Sequence, residues 1–136
     1  MSDKLFNVNW TMNKGKSQFS AGWDPDTENR KYEEIPNGYK LTVSGTHNNH
    51  PYLWQYTAKY DGKDHRVTGR ADVDSIQAFR VNNDITLGFF KKVGVFGGSY
   101  ARIVSSDGRT LTVLAAGKRE DGTVYFDVIE YKNAGA

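Results

Sequence analysis

The sequence predicts an all-β domain, an antiparallel up-and-down barrel of roughly eight to ten strands around an internal cavity. Three observations lead there. Apolar and polar residues alternate with period two, turn-forming residues recur at short intervals, and no stretch carries a helix-length amphipathic pattern.

Phe6, Val8, Trp10 and Met12 alternate with Leu5, Asn7, Asn9 and Thr11, which predicts a first strand over 5–13. A long connection, "KGKSQFSAGWDPD", follows; it has room for a short helix or a lid, and Pro25 would stop any helix there. Strands are then expected near 27–35, 39–47, 50–60, 64–67, 74–82, 84–93, 96–106, 109–117 and 122–132. Tyr39, Leu41 and Val43 give the third strand its dry face, and Tyr52, Trp54, Tyr56, Ala58 and Tyr60 the fourth. Between the runs stand "PNG" at 36–38, "NN" at 48–49, "DGKD" at 61–64, "NND" at 82–84, "SDG" at 106–108 and "EDG" at 120–122. Asn, Asp and Gly accept the positive φ of tight hairpins, so the chain is a meander. An open meander leaves two bare edges, and closing it into a barrel removes both.

The 136 residues suffice for a single domain, 1–136, with one core. Against 18 Lys and Arg stand 16 Asp and Glu, interspersed rather than gathered in runs, so nucleic acid is not the expected partner. With no cysteine, disulfides, thiolate metal sites and cysteine nucleophiles are excluded. "MSDKLFNVNW" has no apolar core of a signal peptide and no run approaches ~18 apolar residues, so a cytoplasmic protein without membrane insertion is expected, export remaining open for a trimmed chain. The sequence carries no sign of oligomeric state.

The phrases "NWTMNKGKSQFSAG", "RKYEEIPNGYKLTVSG", "YTAKYDGKDHRVTG" and "RIVSSDGRTLTV", followed by "VIEYK", resemble small bacterial lipocalin-like proteins of the calycin superfamily. The likeness runs from about residue 8 to 132 and rests on strand and turn patterns, so it implies a fold more than an activity. The strand count also looks like the fatty-acid-binding branch, whose ten-stranded barrels hold a lipid. That branch carries an Arg-x-Tyr pair on its last strand; in "DVIEYK" Tyr131 matches the tyrosine, but Ile129 stands at the arginine's place. The first connection is also short for that branch's two-helix lid.

His47 and His50 flank Asn48-Asn49, where a two-residue loop makes them cross-strand neighbours on one face. A zinc pair would need further ligands, so a plain hairpin tip is the expectation, with a place on the barrel rim and a metal as alternatives; no metal and no cofactor are assigned. Asp64 and His65 are adjacent and point to opposite faces, so a carboxylate serving His65 is expected from another strand. "GVFGGSY" at 94–100 reads as a bend or bulge, since no helix follows to complete a phosphate cradle. On the last strand, Val124, Phe126 and Val128 form the more apolar face and are favoured for the core, leaving Asp127 in solvent. The opposite register would put Tyr125, Asp127, Ile129 and Tyr131 inside. Arg80 and Arg102 lie in apolar strands, where the outer wall is the commoner place for an arginine; an inward Arg102 beside Tyr100 would hold an anionic or enolate oxygen. Phe79 and Phe89 are expected in the core.

Two functions follow as expectations. One is binding of a small hydrophobic or aromatic molecule in the lumen, selected by Trp10, Trp54, Tyr56, Phe89, Tyr100, Arg102 and Tyr131. The alternative is a cofactor-free isomerase, cyclase or lyase, with Asp127, His65, His47 and His50 as acid–base groups. A haem- or protein-binding barrel is the remaining class, and haem would need an inward histidine.

Overall fold

The computed structural model describes residues 4–20, 24–118 and 121–134. Its strands are β1 (Asn9–Met12), β2 (Gln18–Phe19), β3 (Thr27–Ile35), β4 (Gly38–His47), β5 (His50–Lys59), β6 (His65–Thr68), β7 (Ser75–Arg80), β8 (Ile85–Lys92), β9 (Val95–Val104), β10 (Thr110–Lys118) and β11 (Val124–Asn133). Ten of them, all but β2, form a meander in which each pairs antiparallel with the next, and β1 closes the barrel by pairing with both β3 and β11. Closure satisfies the edge groups that an open sheet would leave bare.

The period-2 reading places nearly every strand within a few residues. Turn chemistry explains the fit: Asn37, Asn48 and Asn49 take φ of 55°, 49° and 64°, as the tight turns require. The first strand is the exception, beginning at Asn9 rather than at residue 5. Asn7 has φ 61°, which breaks the extended run, and the Leu5 carbonyl accepts the Trp10 indole N–H at 3.0 Å. Leu5 and Phe6 are therefore both buried, which a strand would not allow. In the long connection, Lys14–Lys16 forms a single 3-10 turn and β2 lies against β11, a pairing the alternation did not predict. Residues 21–23 of that connection lie outside the described residues.

Side chains on the inner faces of the barrel form the core, among them Tyr39, Leu41, Val43, Ile76, Ala78, Val104, Leu111 and Tyr131. Four strands carry corrections. β11 pairs with β10 and β1 so that Ile129 and Tyr131 are buried, while Val124 and Phe126 are 74% and 54% exposed. Asp127 thus shares the inner face, against the apolar count. On β9, Arg102 is inward and only 2% exposed. On β7 and β8, Phe79 and Phe89 face outward instead of entering the core, and their rings meet edge to face at 5.8 Å. Phe96 extends this row, 6.3 Å from Phe89.

The outer wall is consequently two-sided. β3 to β5 present Thr27, Asn29, Lys31, Glu33, Thr57 and Lys59, whereas β7 to β9 present exposed phenylalanines with Leu87 and Ile103. Among the described residues no helix is long and apolar enough to cross a membrane.

Candidate functional site

The inner faces of β3 to β5 and β8 to β11 surround a pocket of about 700 Å³. Ligand cavities commonly span ~300–1,000 Å³, so the volume suits one small molecule. Its walls include Trp54, Tyr56, Phe90 and Tyr100; the loops after β6 and β10 add Arg70, Asp72 and Asp121. Trp54 lies nearly parallel to Tyr56 at 18°, with centroids 6.2 Å apart, and Phe90 meets both rings edge-on.

Strand glycines make the room for the tyrosines. Gly88 is the cross-strand partner of Tyr100, Gly45 of Tyr52 and Gly117 of Tyr125. A Cβ at Gly88 would stand 2.3 Å from the Tyr100 ring, one at Gly45 2.6 Å from the Tyr52 hydroxyl, and one at Gly117 2.8 Å from the Tyr125 hydroxyl. Each tyrosine therefore lies across a bare stretch of backbone, where a side chain would push it away.

Two polar clusters face this lumen. In the first, Arg30 donates from Nε to Glu28 Oε2 at 3.2 Å and from Nη1 to the Tyr32 hydroxyl at 3.3 Å. Glu28 is 5% exposed and also accepts from the hydroxyls of Tyr52, at 2.8 Å, and Tyr131. The guanidinium lies over the rings of Trp54 and Tyr131, 5.6 and 5.1 Å from their centroids. Burial works against its charge, but Tyr131, Tyr32 and Glu28 outweigh it and hold the Arg30 pKa well above its ordinary value. Burial, then the nearby Glu28 carboxylate, pushes the Tyr52 phenol well up.

In the second cluster, Arg102 sits between the rings of Tyr32 and Tyr39, 4.5 and 4.4 Å from their centroids. Nη2 donates to the Thr86 hydroxyl at 2.8 Å, while Nη1 is buried with no hydrogen-bond partner. Beside it the Tyr39 hydroxyl lies 2.6 Å from that of Tyr56 and 2.5 Å from that of Tyr100. Burial raises the pKa of all three phenols, Tyr39 and Tyr56 well above the ordinary value, although Arg102 pulls each down. They are neutral hydroxyls at neutral pH.

Of the residues singled out from the sequence, Trp54, Tyr56, Tyr100, Arg102 and Asp127 line the pocket. Tyr131 is buried behind the lining as a donor to Glu28. Trp10 is fully buried in the core outside the lining, and Phe89 is on the outer wall. Asp127 accepts the Ser20 N–H at 3.1 Å, which ties β11 to the residue that follows β2. The histidines stand elsewhere. His47 and His50 face each other at the hairpin tip, where His47 Nδ1 lies 3.1 Å from the Asp24 carbonyl. His65 pairs with Asp61 at 2.9 Å, so its carboxylate comes from the preceding turn and not from another strand. Among the described residues no group of three or more His, Cys, Asp or Glu side chains is placed to hold a metal.

Glu28 and Arg30 escape the sequence reading, which places Tyr39 and Tyr52 on dry strand faces without joining them to a polar cluster. "TENRKYEEI" shows no apolar alternation, and a strand of charges reads as a solvated face. The available signal was the spacing Glu28-x-Arg30-x-Tyr32 beside the in-strand Gly45, since a polar inner face needs a glycine opposite to seat its partners.

No protein-family model matches the chain, and neither the curated proteins nor the solved structures contain a match. The class therefore rests on the coordinates: a closed ten-stranded antiparallel β-barrel with an extra strand, an architecture consistent with a calycin-like fold.

Proposed function

We propose that this chain is a lipocalin-like binding protein of the small bacterial kind, which takes one small hydrophobic or aromatic molecule into the barrel lumen. The observation that carries the reading is the aromatic-walled pocket of about 700 Å³, which the protein's own side chains leave unfilled. A volume of this size contributes nothing to the core and forgoes dispersion contacts that packing would supply. Burial of ligand area at roughly 25 cal/mol per Å² supplies the affinity.

A thermal-shift screen of apolar and aromatic compounds tests it, together with native mass spectrometry of protein purified from its own host. A true ligand at ~100 times its Kd adds about 2.7 kcal/mol and raises Tm by roughly 5–10 °C. Ala115 lines the pocket, so Ala115→Trp is expected to occupy part of it and shrink the shift in a folded barrel. No shift with any compound and no retained mass would count against binding.

One observation favours a second reading. Asp127 is the acid–base candidate that lines the pocket, so a proton-moving isomerase, cyclase or lyase would work from this carboxylate. Turnover surviving intact in Asp127→Asn would remove that role.

A further inference from the structure

We propose that the molecule taken up is an aromatic or conjugated organic acid, its oxyanion seated at the Tyr56 hydroxyl in the field of Arg102. This rests on the reading of the pocket as a small-molecule site. Three observations narrow the occupant.

The first is charge. Arg102 is 2% exposed and lines the pocket, yet its only hydrogen-bond partner among the described residues is the neutral Thr86 hydroxyl, and Nη1 has none. An arginine stays protonated at any working pH, so a full positive charge is buried without a carboxylate. The faces of Tyr32 and Tyr39 soften that cost but supply no counter-charge. Arg30, in the same barrel, has Glu28 at 3.2 Å.

The second is proton accounting. Three phenols bring three protons. With Tyr39 donating one of its short bonds and accepting the other, two protons are used. The third is Tyr56's, spent on a long bond of 3.5 Å to the Tyr100 hydroxyl. Tyr56 lines the pocket, and this weakly held proton is the one that a closer acceptor can claim. A weakly held O–H donor beside a cation with no carboxylate calls for an acceptor bearing negative charge.

The third is shape. The adjoining walls include the rings of Trp54, Tyr56 and Phe90, with the Arg70 guanidinium 4.8 and 5.0 Å from the Trp54 and Phe90 centroids, and this mixture of aromatic and guanidinium surface suits a flat ring system. One guanidinium and one hydroxyl suit a singly charged, delocalised oxyanion, and are too few for a phosphate dianion.

Isothermal titration at neutral pH with 2-naphthoate, its neutral isostere 2-naphthamide, and decanoate provides the test. Wild-type protein is expected to hold naphthoate about ten- to a hundred-fold tighter than the amide, the usual yield of a charge-assisted contact. Arg102→Met should level the two aromatic ligands by weakening naphthoate alone, and retained amide binding shows that this variant is folded. Tyr56→Phe, which keeps the charge and removes that hydroxyl, should weaken naphthoate severalfold. Equal wild-type affinities for naphthoate and amide overturn the anion while leaving the pocket reading intact. Decanoate binding as tightly as naphthoate overturns the aromatic class. If none of the three binds, the aromatic-acid proposal is overturned, and the thermal-shift screen decides the pocket reading separately.

Discussion

Arg30 and Arg102 project into one lumen, yet they are held by different chemistry. Arg30 has a carboxylate, a phenol and two ring faces, and the carboxylate is itself bonded by two further phenols. Arg102 has one hydroxyl and two ring faces. A buried charge is stable when its partner is built in. The difference separates an internal ion pair from a cation that has no carboxylate partner among the described residues.

The largest expected effect strikes both clusters. Tyr39, Tyr56 and Tyr100 at Arg102, and Tyr131 at Arg30, all have pKa values raised by burial. The folded state thus keeps protons that the unfolded chain loses as pH passes ~10, so stability is whole below that point and falls above it. Each tyrosine that stays protonated in the folded state steepens the loss towards about 1.4 kcal/mol per pH unit above pH ~10, and the four act together. The phenolate absorbance of these four, read as the difference from their Tyr→Phe variants, should appear only with unfolding by circular dichroism. Absorbance rising in a still-folded barrel would mean that these hydroxyls reach solvent.

Substituting each arginine in turn separates the two sites. Arg30→Met leaves Glu28 buried without its cation and should cost about 3–5 kcal/mol in urea denaturation. Arg102→Met loses the Thr86 bond and the ring contacts but removes an unpaired charge, and should stay within about 1 kcal/mol of wild type. Equal losses would break the comparison. The smallest effect sharpens it: Tyr52→Phe removes one of the two phenols bonded to Glu28 and should cost roughly 0.5–1.5 kcal/mol, leaving any response tied to Arg102 unchanged.

The two clusters were not equally visible in the sequence. Tyr100 and Arg102, two apart in an apolar strand, announce themselves as a possible inward pair. Glu28 and Arg30 do not, because in "TENRKYEEI" charges occupy both faces and period two has nothing to sort. Hairpin tips were legible for the opposite reason. Asn48 and Asn49 carry their positive φ as a local property, so His47 and His50 fall opposite each other whatever the rest of the barrel does.

The sequence by itself determined the all-β class, the order of the meander and nearly every strand boundary, because alternation and turn chemistry act over a few residues. Only the tertiary structure decided which face of each strand looks inward. Apolarity pointed Phe126 and Phe89 to the core and left Asp127 and Arg102 for solvent, and the barrel does the reverse. Closure is the physical reason: once β1 joins β11, register is fixed around the whole ring, and a single step exchanges the two faces of a strand. Inside, Gly45, Gly88 and Gly117 then leave their space to tyrosines from the neighbouring strands. That arrangement of side chains from distant segments makes the pocket, and no local pattern records it.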